Sequence, residues 1–300
     1  MQASPDFIIG TILGLLTAFL WAISTIIYKT QSDEATPLAI AALKMWGAMF
    51  FMTVIVILPF RATPFYMPFD ALVILVVSVT ISLIIGDIVF LTAQERIGVS
   101  YAFPIASTYP IATYIIAIFL VGETVITSKA VGIIVAVLGV ILISREQAIR
   151  NESEENSKYD KIGLGLAFFT TVCWALGSVL LQIGVADVDP IDATWIRVFF
   201  GGIIMAPIFA TALNRGMPSP TKKASKVIFA AALLGMTIGS IFYTYTVKLI
   251  GASVAALLGS TSPLFAVPIS IYYLNEVFNR KSLIGVLLTV VGVALVVIAG

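Results

Sequence analysis

Long apolar windows, separated by short polar or turn-forming breaks, run along the whole chain. Six windows contain no charged residue, three contain one each, and a shorter tenth window follows Lys129. Crossing roughly 30 Å of hydrocarbon takes about 20 apolar residues, so each window predicts one transmembrane helix. The windows are residues 7–28, 38–60, 71–94, 97–122, 130–144, 162–186, 193–214, 227–247, 249–275 and 282–300.

The composition excludes a water-soluble fold and several kinds of chemistry. Of the 300 residues, 60% are hydrophobic and 11% are charged, which is too little charge to cover a soluble surface. A net charge of +1 without a basic domain makes nucleic acid an unexpected partner. The chain has no histidine and one cysteine, Cys173, so we expect no metal site, no cofactor and no enzyme activity.

An internal duplication becomes visible when the second half of the sequence is laid over the first at a constant offset. The motif Ile97-Gly98-x-Ser100-x-Ala102 recurs as Ile250-Gly251-x-Ser253-x-Ala255, and Ser107-Thr108-x-Pro110 recurs as Ser260-Thr261-x-Pro263. Without any gap, the same offset aligns single residues along both halves. These pairs are Gly10 and Gly163, Trp21 and Trp174, Pro37 and Pro190, Lys44 and Arg197, Gly86 and Gly239, Glu123 and Glu276, Gly132 and Gly285, and Gly139 and Gly292.

A charged stretch at residues 145–161 divides the duplicated halves and predicts a solvated linker. The first repeat is residues 1–147 and the second is 162–300, with five predicted helices each. Because five is odd, the second repeat begins on the opposite side of the membrane from the first. The sequence therefore predicts an all-α integral membrane protein, with ten transmembrane helices as two inverted five-helix repeats. This plan is typical of secondary transporters.

These features together resemble the EamA-type branch of the drug/metabolite transporter superfamily. In each half, a tryptophan lies in the first helix, a basic residue in the second, a proline in the fourth, and a glutamate precedes a glycine-rich fifth helix. The resemblance covers essentially the whole chain. It implies a ten-helix carrier with a central cavity between the repeats, moving amino acids or other small metabolites, often outward.

Three charged residues inside predicted helices are the main candidates for transport. Lys44 and Arg197 are equivalent in the two repeats, each about 10 Å into its helix, and either could bind a substrate carboxylate or phosphate. Asp87 lies deep in the third helix, where its repeat partner is Ser240, and could carry a proton or bind an amine. The alternatives are snorkelling to the interface for the basic residues and structural pairing of Asp87 with Lys44.

Uncharged residues near the middle of the predicted helices form a second group of candidates. Aromatic residues could wall a cavity, with helix packing as the alternative. Hydroxyl groups near the aligned prolines could bind substrate or bond to their own helix, and the prolines predict kinks. Glu123 and Glu276, at helix ends on opposite faces, predict capping or anchoring of loops. The remaining candidates are Trp21, Trp174, Tyr101, Tyr243, Ser107, Tyr109, Ser260, Pro110 and Pro263.

Orientation is a point on which two arguments disagree. Three basic residues lie in loops on the face that carries the N-terminus, and twelve lie on the other face. Positive charges favour the cytoplasmic side, which places both termini outside. The family resemblance instead implies both termini inside. We expect a multi-pass protein of the plasma membrane in either case.

The predicted function is a secondary transporter that moves a small metabolite, an amino acid or a related compound, as an exporter or facilitator. The alternatives are a channel that does not use ATP and a membrane scaffold without transport activity. No Gly-x-x-x-x-Gly-Lys-Ser/Thr loop is present, which argues against an ATP-driven pump. Expected partners are a small-molecule substrate and the lipid bilayer, with a monomer expected and a dimer as the alternative.

Overall fold

The computed structural model describes residues 4–58, 64–151, 160–274 and 280–299. Within these ranges, seven helices are long and apolar enough to cross a membrane, and three shorter apolar helices complete a set of ten. Large apolar side chains are exposed on the outside of the bundle, among them Phe69, Phe119 and Ile298, as expected for a surface in contact with lipid. The predicted all-α membrane fold with two inverted repeats is confirmed.

The helices follow the predicted windows closely. In the first repeat they are α1 (Pro5–Lys29), α2 (Pro37–Ile57), α3 (Phe69–Ile97), α4 (two segments, Val99–Ala106 and Tyr109–Leu120) and α5 (Thr127–Asn151). In the second they are α6 (Lys161–Val185), α7 (Pro190–Asn214), α8 (Lys222–Ile250), α9 (Ala252–Ser260 and Ser262–Leu274) and α10 (Arg280–Ala299).

Two faces of the bundle follow from the alternation of these helices. We call the face where α1 begins the N-terminal face, and the face where α5 ends and α6 begins the linker face. Contacts between loops respect this division: Arg96 pairs with Asp160 on the linker face, and Lys248 donates to the carbonyl of Val188 on the N-terminal face. Each contact joins residues that the ten-crossing topology assigns to the same side.

The charged stretch between the repeats is partly helical. Helix α5 continues to Asn151 and α6 begins at Lys161, so residues 145–151 extend a helix instead of forming the start of the predicted linker. Residues 152–159 lie outside the described part of the chain. Glu276 also lies outside it, and so does Arg61, one of the three basic residues counted on the N-terminal face.

Matching local signals begin and end the equivalent helices of the two repeats. Thr36 and Asp189 each accept a backbone N–H from the first turn of the following helix, and a proline occupies the first position of both α2 and α7. At the junctions of α3 with α4 and α8 with α9, Gly98 and Gly251 have φ values of 75° and 82°. Residues with a Cβ rarely adopt this conformation, so glycine is needed at both junctions.

The first helix of each repeat packs against the third helix of the other repeat. A Cβ built on Gly10 in α1 would lie 2.7 Å from Ile250 in α8, and one on Gly163 in α6 would lie 2.4 Å from Ile97 in α3. Both glycines therefore permit a close helix approach that a side chain would prevent. The same contact occurs twice, related by the duplication.

The fifth helices of the two repeats pack against each other through glycine. A Cβ on Gly139 in α5 would lie 2.5 Å from the carbonyl oxygen of Gly285, and a Cβ on Gly292 in α10 would lie 2.5 Å from that of Gly132. These are the glycines that the sequence alignment pairs. Without a hydrophobic driving force between helices in lipid, such close backbone packing is the main source of association.

Helices α4 and α9 are interrupted instead of bent. The interruption falls at Ser107 and Thr108 in α4 and at Thr261 in α9, directly before the aligned prolines. Pro110 and Pro263 therefore stand in the first turn of a new helical segment, where the missing N–H has no intrahelical partner to lose. The kink within a continuous helix that the sequence suggested is replaced by a break between two segments.

Candidate functional site

The third helix of each repeat contains a π-helical turn halfway along its length. These turns are Thr80–Gly86 in α3 and Leu233–Gly239 in α8, and they are equivalent in the duplication. In α8, the N–H of Thr237 bonds to the carbonyl of Ala232, five residues earlier. π-Helical turns are rare and occur frequently at functional sites.

A tryptophan from the opposite repeat covers the end of each π-helical turn. A Cβ on Gly86 would lie 3.0 Å from Trp174, and one on Gly239 would lie 3.1 Å from Trp21. The indole N–H of Trp21 donates to the carbonyl of Gly235 at 3.1 Å. Both tryptophans that the sequence singled out therefore lie at the interface between repeats, in the middle of the bundle.

Asp87 directly follows the first π-helical turn, and its carboxylate accepts hydrogen bonds from side chains on two other helices. Its Oδ2 lies 3.4 Å from Nζ of Lys44 in α2, and its Oδ1 accepts from the indole N–H of Trp174 in α6 at 3.1 Å. The side chains of Lys44 and Asp87 are 23% and 17% exposed. Both side chains of the ion pair are therefore partly exposed, although the two residues belong to membrane-spanning helices.

Arg197 has quite different surroundings, although it is equivalent to Lys44. It is buried in α7, and its Nη2 donates to the hydroxyl of Ser82 at 3.3 Å. Its Nε is buried without a hydrogen-bond partner. The ion pairs between described residues do not include Arg197.

Aromatic rings connect these polar groups across the interface. The ring centroids of Trp21 and Tyr243 are 5.2 Å apart, and those of Trp174 are 5.8 Å from Tyr109 and 5.1 Å from Phe90. Tyr243 shares a hydrogen bond of 3.0 Å with Ser178, and Tyr109 donates to the carbonyl of Ala256 in α9 at 2.9 Å. The structure thus brings together four of the five predicted aromatic residues.

The other predicted residues lie outside this aromatic cluster or bond within their own helix. Tyr101 is 42% exposed near the linker-face end of α4. Ser107 donates to the carbonyl of Phe103, and Ser260 donates to that of Leu257, so both hydroxyls satisfy carbonyls in the helical turn before them.

Polar contacts close the N-terminal face below the cluster. Glu123, in the loop between α4 and α5, accepts hydrogen bonds from Lys129 and from Ser253 at the start of α9. Gln182 in α6 accepts the backbone N–H of Ala252 at 2.7 Å. The contact of Glu123 with Ser253 joins the two repeats at this face, and that of Gln182 with Ala252 joins two helices of the second repeat.

The linker face has contacts between the repeats as well, from Thr221 to Glu34 and from Arg96 to Asp160, but a cavity opens beside them. A cavity of about 970 Å³ lies there between the start of α2, the end of α3 and the end of α7. Its lining includes Leu38, six residues before Lys44, and Glu95, eight residues after Asp87. At 1.5 Å per residue, the cavity lies roughly 10 Å from the ion pair toward the linker face, and its volume suits a small metabolite.

Several residues of this site were missed by the sequence predictions. Ser82, Ser178 and Phe90 are neutral, and serine and phenylalanine are common in apolar helices, so nothing in the pattern marks them. Gln182 and the two π-helical turns carry no distinct signal either. The alignment of Gly86 with Gly239 was the available sign that a close contact occurs at the end of each turn.

The sequence model of the EamA-like transporter family matches residues 8–145 and again residues 161–298. The chain belongs to the EamA-like transporter family. The suspected relationship is confirmed, and this EamA-family protein is a multi-pass membrane transporter. Its membership points to a transporter rather than an enzyme.

Relatives of this EamA-family protein extend over most of its length. Two uncharacterized transporters of Archaeoglobus fulgidus are 22% and 25% identical, covering 96% and 94% of this chain and 97% and 96% of their own. A WAT1-related chloroplastic protein of Arabidopsis thaliana is 22% identical over 67% of this chain, which spans about half of that relative (49%). A crystal structure with 16% identity covers 97% of this chain and 98% of its own, with a TM-score of 0.76, and supports the fold.

Proposed function

We propose that this EamA-family protein is a secondary transporter that moves a small metabolite by alternating access between its two inverted repeats. The substrate class we expect is an amino acid or a related compound, and the direction is export or facilitated diffusion. The observation that carries the proposal is the partly exposed ion pair of Lys44 and Asp87, which lies mid-membrane at the interface between repeats, beneath a cavity open to one face.

Charged groups inside a membrane are costly and usually mark a substrate or ion pathway. The ammonium of Lys44 offers a partner for a carboxylate, and the carboxylate of Asp87 offers one for an amine. Trp174 bonds to Asp87, and the ring of Tyr109 packs against Trp174, so that both rings offer apolar surface to the rest of a substrate. A zwitterionic compound matches this combination of charges and rings.

Closure of one face and opening of the other is the arrangement that alternating access requires of each state. Polar contacts of Glu123 and Gln182 close the N-terminal face while the cavity opens at the linker face. Exchange of the repeats' conformations would open the opposite face. By the distribution of basic residues, we assign the linker face to the cytoplasm and the protein to the plasma membrane.

The experiment that tests the function has two steps. A thermal-stability screen of the purified protein in detergent, against amino acids, organic acids, nucleosides and polyamines, identifies compounds that bind the folded state, because such binding raises the melting temperature. Counterflow in proteoliposomes with a compound so identified is then expected to saturate and to be stimulated by substrate on the opposite side. Flux that rises linearly with concentration would indicate a channel, and no flux would indicate a scaffold.

A further inference from the structure

Arg197 is a buried cation that receives little compensation in this conformation. Its side chain contacts the hydroxyl of Ser82, which itself donates to the carbonyl of Ser78 at 2.7 Å. The hydroxyl therefore accepts from the guanidinium but does not neutralise its charge. Nε of Arg197 lies buried with no hydrogen-bond partner, and the residue as a whole is 8% exposed.

Lys44, at the equivalent position in the first repeat, has an acidic partner, and Arg197 has none among the residues that the structure describes. Lys44 pairs with Asp87, whereas the residue aligned with Asp87 in the second repeat is Ser240. Removing a charge from water without pairing it is strongly unfavourable, and more so within a membrane. The presence of a buried arginine without an acidic partner is explained if an anion binds to it at another point of the transport cycle.

The inverted repeats indicate where in the cycle this happens. Lys44 lies seven residues from the start of α2 at the linker face, and Arg197 lies seven residues from the start of α7 at the N-terminal face. In the present conformation the linker face is open and the Lys44 side chain is partly exposed. When the repeats exchange conformations, Arg197 takes the position of Lys44 in the open half, facing Ser240 and no aligned acid.

Resting on the transport cycle proposed above, we infer that Arg197 binds an oxyanion, a carboxylate or a phosphate, in the conformation open to the N-terminal face. The Nε and one Nη of a guanidinium form a fork that binds two oxygens of such a group. Nε of Arg197 has no hydrogen-bond partner. Nη2 would have to break only its hydrogen bond to the Ser82 hydroxyl in order to bind the anion. The two access states thus differ in charge: one presents an ion pair and the other a single cation.

The test uses benzoate, succinate and inorganic phosphate as probes, with benzylamine as the cationic counterpart of benzoate. The readout is the melting temperature of the purified full-length protein in detergent at constant ionic strength. The oxyanions raise the melting temperature, whereas any effect of benzylamine, which Asp87 could bind, is the same in Arg197→Gln as in the wild type. Arg197→Gln weakens the apparent affinity for the oxyanions by roughly tenfold or more, Arg197→Lys weakens it less, and Lys223→Gln, on the exposed surface, controls for net charge.

Two results would overturn the inference. One is oxyanion stabilisation that is unchanged in Arg197→Gln; the other is a larger loss in Lys44→Gln, which would assign the anion to the first repeat. If Arg197→Gln unfolds, the Lys variant decides, since it keeps the charge but loses the fork. Oxyanion binding without counterflow would reject the transport proposal and keep the site, whereas counterflow without oxyanion binding would do the reverse.

The side of access has its own test. Cysteines replacing Glu123 and Ser253, in a Cys173→Ala background, are joined by a short reducible cross-linker to hold the N-terminal face closed. Oxyanion stabilisation is then lost and returns after reduction. Stabilisation that persists in the cross-linked protein would show that the anion reaches Arg197 from the linker face, and would overturn the assignment to the other conformation.

Discussion

The two faces of the bundle are built by equivalent helix ends, yet different side chains close them. At the N-terminal face, Gln182 accepts the N–H of Ala252, and Lys248 donates to the carbonyl of Val188 at 2.8 Å. At the linker face the residues aligned with Gln182 and Lys248 are Lys29 and Glu95. A lysine ammonium cannot accept an N–H, and an ionised carboxylate cannot donate to a carbonyl.

The hydrogen-bonding roles are therefore reversed between the faces, and neither closing contact can be reproduced at the linker face. Glu95 lines the open cavity instead. The comparison teaches that the duplicated backbone supplies two equivalent conformations, while a few polar side chains decide which one is more stable. We expect the conformation open to the linker face to be the resting state.

The glycine contacts between α5 and α10 are the same in both repeats, so they serve as the reference for this comparison. Substitutions there should have the largest effect on stability. Gly139→Ala and Gly292→Ala each place a Cβ within 2.5 Å of backbone or side-chain atoms of the partner helix. We expect each to lower the free energy of unfolding by about 3 kcal/mol, because the two helices must separate. Thermal unfolding in detergent measures this.

Gly165→Ala is the matched control, because a Cβ there meets no atom within 4 Å. Its melting temperature should stay at the wild-type value. Unequal losses in Gly139→Ala and Gly292→Ala would show that α5 and α10 do not contribute symmetrically.

The next largest effect is expected where the repeats differ in charge. Asp87→Asn removes the partner of Lys44 and should reduce transport at least about tenfold and abolish any pH-dependent component. The measurement is uptake into proteoliposomes across a pH series. Retained pH dependence in this variant would remove Asp87 as a proton carrier.

Ser240→Asp is the complementary change, since it places an acid at the position aligned with Asp87. It makes the repeats more alike and should weaken oxyanion binding at Arg197 by supplying an internal anion. Unchanged oxyanion stabilisation would mean that residue 240 does not face Arg197 in the alternative conformation.

Removing the N-terminal-face closures should shift the equilibrium between the two conformations. Gln182→Leu with Lys248→Met eliminates two hydrogen bonds of about 1 kcal/mol each, so the population open to that face rises roughly thirtyfold. A cysteine at Thr194, which is 1% exposed, reports this opening through its rate of maleimide alkylation in the Cys173→Ala background.

The equivalent double variant at the linker face, Lys29→Leu with Glu95→Met, is the control. It removes no closing hydrogen bond and should leave the alkylation rate at Thr194→Cys unchanged. Equal acceleration in both double variants would contradict the asymmetry between the faces.

The smallest effect is expected for the exposed ion pair of Arg96 and Asp160 at the linker face. The side-chain hydrogen bond from Arg96, at 2.8 Å, lowers the pKa of the Asp160 carboxyl below its ordinary value of 3.8. The pair therefore stabilises the fold above that value, and the contribution disappears as the pH falls through the lower folded-state pKa. Arg96→Ala should lower the melting temperature slightly at pH 7, and this loss should become smaller as the pH falls below 3.8.

Much of the fold could be predicted from the sequence, because the hydropathy of a segment shows whether it lies in lipid or in water. The inverted duplication and the charged candidates inside the helices also stand out, since charges such as Asp87 are rare in apolar windows. The π-helical turns could not be predicted, because they depend on packing with the opposite repeat. The contacts of Gln182 and Lys248 were equally inaccessible, since their partners are backbone atoms of distant segments.

The interruption of α4 and α9 shows a similar limit. Pro110 and Pro263 indicated a local irregularity, but a proline is compatible both with a kink and with the first turn of a new helix. The choice is made by the turn before it, where Ser107 and Thr261 bond to carbonyls of the preceding segment. Sequence alone does not distinguish these outcomes.

Counterflow through the cross-linked protein tests the central claim, alternating access, most directly. The protein with cysteines at Glu123 and Ser253 is reconstituted, cross-linked, and assayed with a substrate from the stability screen. We predict that exchange stops while the cross-link holds the N-terminal face closed and recovers after reduction, with the two single-cysteine variants unaffected. Exchange that continues at the same rate in the cross-linked protein would contradict the account.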